Sequence, residues 1–398
     1  MRRATLLAAL AAALAAVPAG LADPGVTPTS VKIGGTVPLS GEAAAFGSVG
    51  PGAKAYFDYV NAHGGVNGRK IEYVYYDDAY DPAQTVKLTR QLVEQDQVFA
   101  IFDTVGTDNN LAIRPYLNQL KVPQLFVADG SDALGKAITQ YPWTVPGLMS
   151  YSGEGAIYGR YLTQTKPKAK IAVLYENTEY GKDLLRGLER TVKKGGIVAR
   201  ESYEYTDADV SSHIAKLRAS GADTFMVFAT PKFAIQSFVF ADKLSWRPQI
   251  FVSAISIEPT IMSIARIATG GRATKNAIST AFLKNPDDPL WDKDSSVVLY
   301  RQIMKKYLPS GKETDVYNFY GMCVAWTMVE TLKKAGRNLT RASLLAAARS
   351  LDLTSPFLLP KLSLRTSATV NFPIAQVKIY KYNNAQWVVQ TGPLDARG

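Results

Sequence analysis

Twice along this chain, short apolar runs rich in β-branched and aromatic residues alternate with longer stretches of helical periodicity. No other feature restricts the fold as much. Strands alternating with helices of three to four turns specify parallel sheets covered by helices on both faces. The first series runs through strand Val31–Val37, helix Gly50–Asn61, strand Lys70–Tyr76, helix Pro82–Glu94, strand Val98–Phe102, helix Asn109–Leu120 and strand Pro123–Val127. Asp81 is the expected N-cap of the second helix, and Pro82 suits its first turn. Tyr141–Gly147, with two prolines and a tryptophan, breaks the rhythm and reads as a crossover between domains.

A second series begins at Ser150. It reads as helix Gly153–Gln164, strand Lys170–Tyr175, helix Gly181–Lys194, strand Ile197–Tyr205, helix Val210–Ser220, strand Asp223–Ala229, helix Phe233–Leu244 and strand Gln249–Val252. Ala277–Phe282 reads as a second crossover. Helices return at Asp294–Tyr307, Tyr317–Ala335 and Arg341–Arg349. The tail, Thr369–Thr391, reads as strands with Asn383-Asn384 as a turn. The 398 residues suit two domains of roughly 150–200 residues each. The expected architecture is therefore α/β: two parallel-sheet lobes joined by several crossovers, a build that can hinge.

Residues 1–22 stand apart from this pattern. Arg2 and Arg3 open the chain, Ala4–Val17 is apolar apart from Thr5, and Pro18, Gly20 and Ala22 supply small residues. This reads as a secretory signal peptide cleaved after Ala22. Its apolar run falls short of the ~20 residues that span a bilayer. Export would permit disulfides, but Cys323 is the only cysteine and cannot make an internal bridge. With no cysteine at the cleavage site, a lipoprotein anchor is not expected, and the mature chain is expected in the periplasm as a monomer. Net charge is +11, falling to +9 once Arg2 and Arg3 are removed. The basic residues are dispersed and interleaved with acids, as in Lys182-Asp183 and Arg186-Glu189, so no nucleic-acid partner is expected.

Ligands of open α/β sheets bind beyond the carboxyl ends of the strands. Those ends are expected at Gly35–Gly41, Asp103–Asp108, Ala128–Ser131, Glu176–Tyr180, Ala229–Lys232 and Ser253–Ser256, all small, polar or glycine-bearing. Reactive groupings are missing from them. Gly130–Ala137 resembles a phosphate loop only loosely, because Ala137 stands where a magnesium-binding hydroxyl belongs and Asp129 and Asp132 would repel phosphates. His63 and His213 are far apart, so no zinc site is expected. No serine lies in a nucleophile elbow. Asp77, Asp78 and Asp81 read as a strand end and a helix cap in preference to a calcium site. The expectation is binding without turnover: no catalytic residue, no metal and no cofactor. The amides of Thr104–Thr107, at a helix start, suit a carboxylate.

Several segments carry a family resemblance: Pro38-Leu39-Ser40-Gly41, Asn61–Gly68, Tyr76–Pro82, Glu179-Tyr180-Gly181 and Gly221-Ala222-Asp223. The chain resembles the type I periplasmic solute-binding proteins, in particular the leucine/isoleucine/valine-binding branch that serves ABC importers, from about Val31 to Trp387. The resemblance implies two doubly wound parallel-sheet lobes joined by a three-crossover hinge. Lobe 1 would comprise residues 23–146 and 283–355, and lobe 2 residues 147–282 and 356–398. It further implies an ABC permease as partner and a small carboxylic ligand, either an apolar amino acid or an aromatic acid; a ligand sensor for a membrane receptor is the other reading.

By that resemblance Phe46 would touch the ligand side chain. Val105, Gly106 and Thr107 would hold its carboxylate, with Gly106 where a serine is expected. Ala128, Asp129 and Gly130 would form the next cradle loop, with Gly130 where a threonine is expected. Tyr180, Thr230 and Ile255 would come from the second lobe. Ile255 is apolar where the family pairs the ligand ammonium with an acid; Glu258 lies three positions on, and an inward-pointing Asp129 would replace the missing charge.

Overall fold

The computed structural model describes residues 23–397, and the expected signal peptide lies outside the described residues. The first sheet holds β1 (Ser30–Val37), β2 (Lys70–Asp77), β3 (Ala100–Phe102), β4 (Gln124–Val127) and β5 (Thr144–Pro146). All are parallel, in the order β2-β1-β3-β4-β5. Its central strands β3 and β4 are buried at every position, as expected where helices cover both faces. The covering helices are α1 (Val49–Ala62), α2 (Pro82–Glu94), α3 (Thr107–Gln119) and the short α4 (Asp132–Lys136). The α2 cap is as expected: the Asp81 carboxylate accepts from the Ala83 amide at 2.8 Å, and Pro82 starts the helix.

The second sheet is built from β6 (Ile171–Glu176), β7 (Ile197–Tyr203), β8 (Thr224–Phe228), β9 (Gln249–Val252) and β10 (Ile278–Ala281), parallel in the order β7-β6-β8-β9-β10. Helices α5 (Tyr151–Thr165), α6 (Glu179–Glu189), α7 (Ser211–Ala219), α8 (Pro231–Lys243) and α9 (Pro259–Thr269) alternate with them. The late helices α10 (Ser295–Tyr307) and α11 (Val316–Ala335) return to pack on α1, and α12 (Arg341–Ala348) packs on α11. The tail adds β11 (Asp352–Leu353) and β12 (Leu364–Arg365) as a two-stranded ribbon. It ends with β13 (Gln376–Tyr382), β14 (Trp387–Val389) and β15 (Leu394–Asp395). β13 joins β10 antiparallel, so the second sheet is mixed at this edge. The Asn383-Asn384 turn is present, with Asn384 at φ 76°.

Three expectations need correction. Tyr141–Gly147 contains β5; the crossover follows it, from Gly147 into α5. A three-residue strand ending in proline looks like a loop, yet proline is tolerated on an edge strand, and β5 is one. Ala277–Phe282 is mostly β10, whose Ser279 and Thr280 masked it. Those hydroxyls are buried, and Ser279 donates to the Val252 carbonyl at 2.7 Å. The actual second crossover pairs with the third, through the Leu283–Leu358 bridge and the Leu359 amide donating to Phe282 O at 2.8 Å. Past residue 356 the chain also stays longer against first-lobe elements than expected. Phe357 packs edge-on against Phe319 at 5.3 Å, and Asn371 donates to the Thr144 carbonyl at 2.8 Å.

Candidate functional site

The carboxyl ends of both sheets face one cavity, with about 1250 Å³ of space unfilled by protein atoms, open solvent at its mouth included. Each sheet contributes the loops that follow its strands, because a parallel sheet aims all its strand exits the same way. From the first lobe come Phe46, Val105, Gly106, Thr107, Ala128 and Asp129. From the second come Tyr180, Thr230 and Ile255. Of the residues singled out in the sequence, Gly130 does not line the cavity. A Cβ on Gly130 would lie 2.0 Å from the Met149 carbonyl and 3.1 Å from the Tyr151 ring, so the threonine of the family pattern has no room here. Its carbonyl instead accepts from the Tyr151 amide at 2.8 Å, fastening the cradle loop to the start of α5.

Gly106 departs from the family pattern for a related reason. It caps α3 with φ 104°, a conformation that side chains rarely adopt. A Cβ there would lie 2.5 Å from Asn109 Oδ1 and 2.7 Å from the Tyr80 ring. The first-turn amides of α3 have no intrahelical acceptor and carry the positive end of the helix dipole. Beside them, Thr107 Oγ1 donates in a short bond to Asp129 Oδ2, and Asp129 Oδ1 accepts from the Ser131 amide at 2.7 Å. Asp129 is 1% exposed, and burial pushes its carboxyl up to about 6 against those donors.

Two more carboxylates stand behind the second-lobe wall. Glu176, at the end of β6, accepts from Tyr203 Oη at 3.0 Å, Thr178 Oγ1 at 3.1 Å and Thr230 Oγ1 at 3.2 Å. Glu154 accepts from Tyr158 Oη at 2.6 Å, the Ala254 amide at 2.8 Å and Thr280 Oγ1 at 3.3 Å. Burial pushes each up to about 7. Glu258 is not a substitute for the missing acid at Ile255, because its carboxylate caps α9, accepting from the Ile261 amide at 3.1 Å. The Asp77, Asp78 and Asp81 group is likewise occupied locally. Asp77 holds Ser40, Asp78 holds Thr85, and Asp81 caps α2. Among the described residues no group of three or more His, Cys, Asp or Glu is arranged to hold a metal ion.

Further aromatic rings line the wall beside Phe46 and Tyr180, and sequence reasoning did not mark Tyr80, Tyr151, Tyr317 or Tyr320 for the site. Tyr151 meets Tyr180 edge-on at 4.9 Å, and Tyr317 meets Phe46 edge-on at 5.1 Å. Tyr80 and Tyr320 also line the cavity. Tyr80 meets Tyr205 of the other lobe at 5.7 Å, and the Tyr317 hydroxyl donates across the cleft to the Ile255 carbonyl at 2.8 Å. An exposed pair, Lys232–Glu42 at 2.6 Å, also spans the lobes. The lobes are thus closed on one another in this structure.

Comparison with known proteins settles the family. The model of the family described as periplasmic binding protein matches residues 30–386. The chain belongs to the periplasmic binding protein family. A Leu/Ile/Val-binding protein homolog of Brucella abortus is 25% identical over 327 residues, covering 79% of this chain and 81% of the relative. A branched-chain amino acid ABC transporter protein from Thermus thermophilus, solved with bound valine, superimposes with a TM-score of 0.79 at 17% identity, covering 93% of this chain and 97% of that one. A solute-binding protein from Rhodopseudomonas palustris, solved with 3,4-dihydroxybenzoic acid, gives a TM-score of 0.75 at 20% identity over 93% of this chain and 98% of that one. At these identities the solved structures show the shared type I fold alone. This is a family of solute-binding proteins, not of enzymes. No helix among the described residues is long and apolar enough to cross a membrane.

Proposed function

We propose that this periplasmic binding protein captures a small hydrophobic carboxylic solute, a branched-chain or other apolar amino acid, and presents it to an ABC importer permease in the periplasm. One observation carries the reading: a cavity between the lobes, walled in part by aromatic rings, has the first-turn amides of α3, which lack intrahelical acceptors, at one end. The rings would cover an aliphatic or aromatic body, and the amides would take a carboxylate. The second reading is an aromatic acid. It is favoured by the apolar Ile255 at the position where the family resemblance implies an acid for the ligand ammonium. Titration calorimetry with leucine, valine, phenylalanine and benzoate tests both. Heat with any of them supports solute capture, and silence with every acid removes the carboxylate claim. Mass spectrometry of whatever co-purifies with the protein is an independent check.

A further inference from the structure

A second depression lies at the end of the second lobe remote from the cleft. It is formed by the loop 166–170, which enters β6, and the turn 192–196, which enters β7. Both sit at the amino ends of their strands, whereas the cavity between the lobes lies at the carboxyl ends. The six residues of β6 separate the two by roughly 20 Å. The depression holds about 740 Å³ of space unfilled by protein atoms, open solvent included. Lys166, Lys168, Lys170, Lys193 and Lys194 line it, and no acid does. Lys166 pairs with Asp223 at 2.9 Å. Among the described residues the other four lysines take part in no ion pair, whereas Arg186, Arg200, Lys216 and Arg247 of the same lobe each face an acid. The two lysine segments are apart in sequence and meet because α5 packs on α6 and β6 pairs with β7.

Four unpaired cations on one rim repel one another, and an anion relieves that repulsion. The donors decide which anion. No arginine lines the depression, so no planar fork is present to grip a single phosphate. Ammonium groups on long, exposed stems suit many phosphates spread over a surface. Leu162, Pro167, Ile171 and Val192 supply apolar surface along which such stems can lie with their heads in water. Gly195, at φ 80°, has open space where a side chain would stand, which leaves the rim clear for a broad partner. Clusters of four or more such cations bind bilayers that contain anionic phospholipid. We propose that this lysine-rimmed depression docks the protein on an anionic phospholipid surface and leaves the cleft, at the other end of the lobe, free for solute.

Co-sedimentation of the purified protein with vesicles tests it. One vesicle is phosphatidylcholine alone, and the other is phosphatidylcholine mixed with phosphatidylglycerol. The expected result is binding to the mixed vesicle alone, lost as salt is raised. Each lysine contributes about fivefold near such a surface, so Lys168→Gln, Lys193→Gln and Lys194→Gln together should lower the partition by on the order of 100-fold. A second triple, Lys87→Gln, Lys121→Gln and Lys305→Gln, removes the same net charge from exposed positions on first-lobe elements and should change it by less than about fivefold. Lysine acetylation of the wild type, read by mass spectrometry, needs no variant. Mixed vesicles should protect Lys168, Lys170, Lys193 and Lys194 and leave Lys87, Lys121 and Lys305 reactive. Equal losses for the two triples, equal protection of the two lysine sets, or no preference for the mixed vesicle would overturn the inference. Displacement by inorganic phosphate at constant ionic strength would also overturn it, because that marks a small-anion pocket and not a docking surface.

Discussion

Replacing Tyr317 with phenylalanine probes the closed state with a single atom. The Tyr317 hydroxyl on α11, a helix packed on the first lobe, donates to the Ile255 carbonyl on the second lobe at 2.8 Å. Tyr317→Phe removes that donor and keeps the ring, including its edge-on contact with Phe46 at 5.1 Å. An intramolecular hydrogen bond contributes a net ~0.5–1.5 kcal/mol, so the closed-to-open ratio should fall by roughly 2- to 12-fold. The upper end is expected, because the Ile255 carbonyl loses its donor only when the lobes are shut. A ligand that binds the closed form loses affinity by the same factor wherever the free protein is mainly open. Calorimetry would read the affinity, and small-angle scattering of the free protein would read the opening as a larger radius of gyration. As a control, Lys232→Met removes the exposed Lys232–Glu42 pair, whose expected contribution is about 0–1 kcal/mol and salt-dependent. Wild-type affinity together with a wild-type radius in Tyr317→Phe would refute the claim that this bond latches the lobes.

Tyr180→Ala removes a ring that is 3% exposed and packed on Tyr151, and should weaken ligand binding by roughly 1–3 kcal/mol in calorimetry; unchanged affinity would remove Tyr180 from the site. Asp129, Glu154 and Glu176 are pushed up to about 6, 7 and 7, so the native state keeps protons that the unfolded chain has already released. Their joint effect is absent below about pH 4 and lowers stability as pH rises toward 7, by on the order of 3 kcal/mol for Asp129 alone. Thermal melts of the ligand-free protein at pH 5 and pH 8 should therefore show a shallower fall for Glu176→Gln than for the wild type, and identical slopes would contradict this. Cys323 is 4% exposed, and burial pushes its thiol up to about 12, so a thiol reagent should label it only in denaturant; rapid labelling of the native protein would show that this part of the core opens.

The extent to which the site could be read from the chain differs by residue. Phe46, Val105, Thr107, Ala128, Asp129, Tyr180, Thr230 and Ile255 follow strand exits, and all of them line the cavity. A parallel sheet makes that position legible, since every exit points to the same edge. Gly106 and Gly130 were legible only as departures from a pattern; the Tyr80 ring and the Met149 carbonyl explain them. Tyr317 and Tyr320 carried no local signal, because α11 reaches the cavity from more than two hundred residues beyond the first cradle loop.

Apolar periodicity and capping chemistry are local, so the sequence alone determined the two alternating α/β series and most strand and helix positions. Pairing across the sheet and between lobes is not local. Only the tertiary structure decided that Ile278–Ala281 is a strand, that β5 belongs to the first sheet, and that the chain stays with the first lobe past residue 356. The same holds for the charge of the cradle. Asp129, Glu176, Asp108 and Asp78 are scattered along the chain, and their fields meet at Tyr80 only once both lobes have folded and closed.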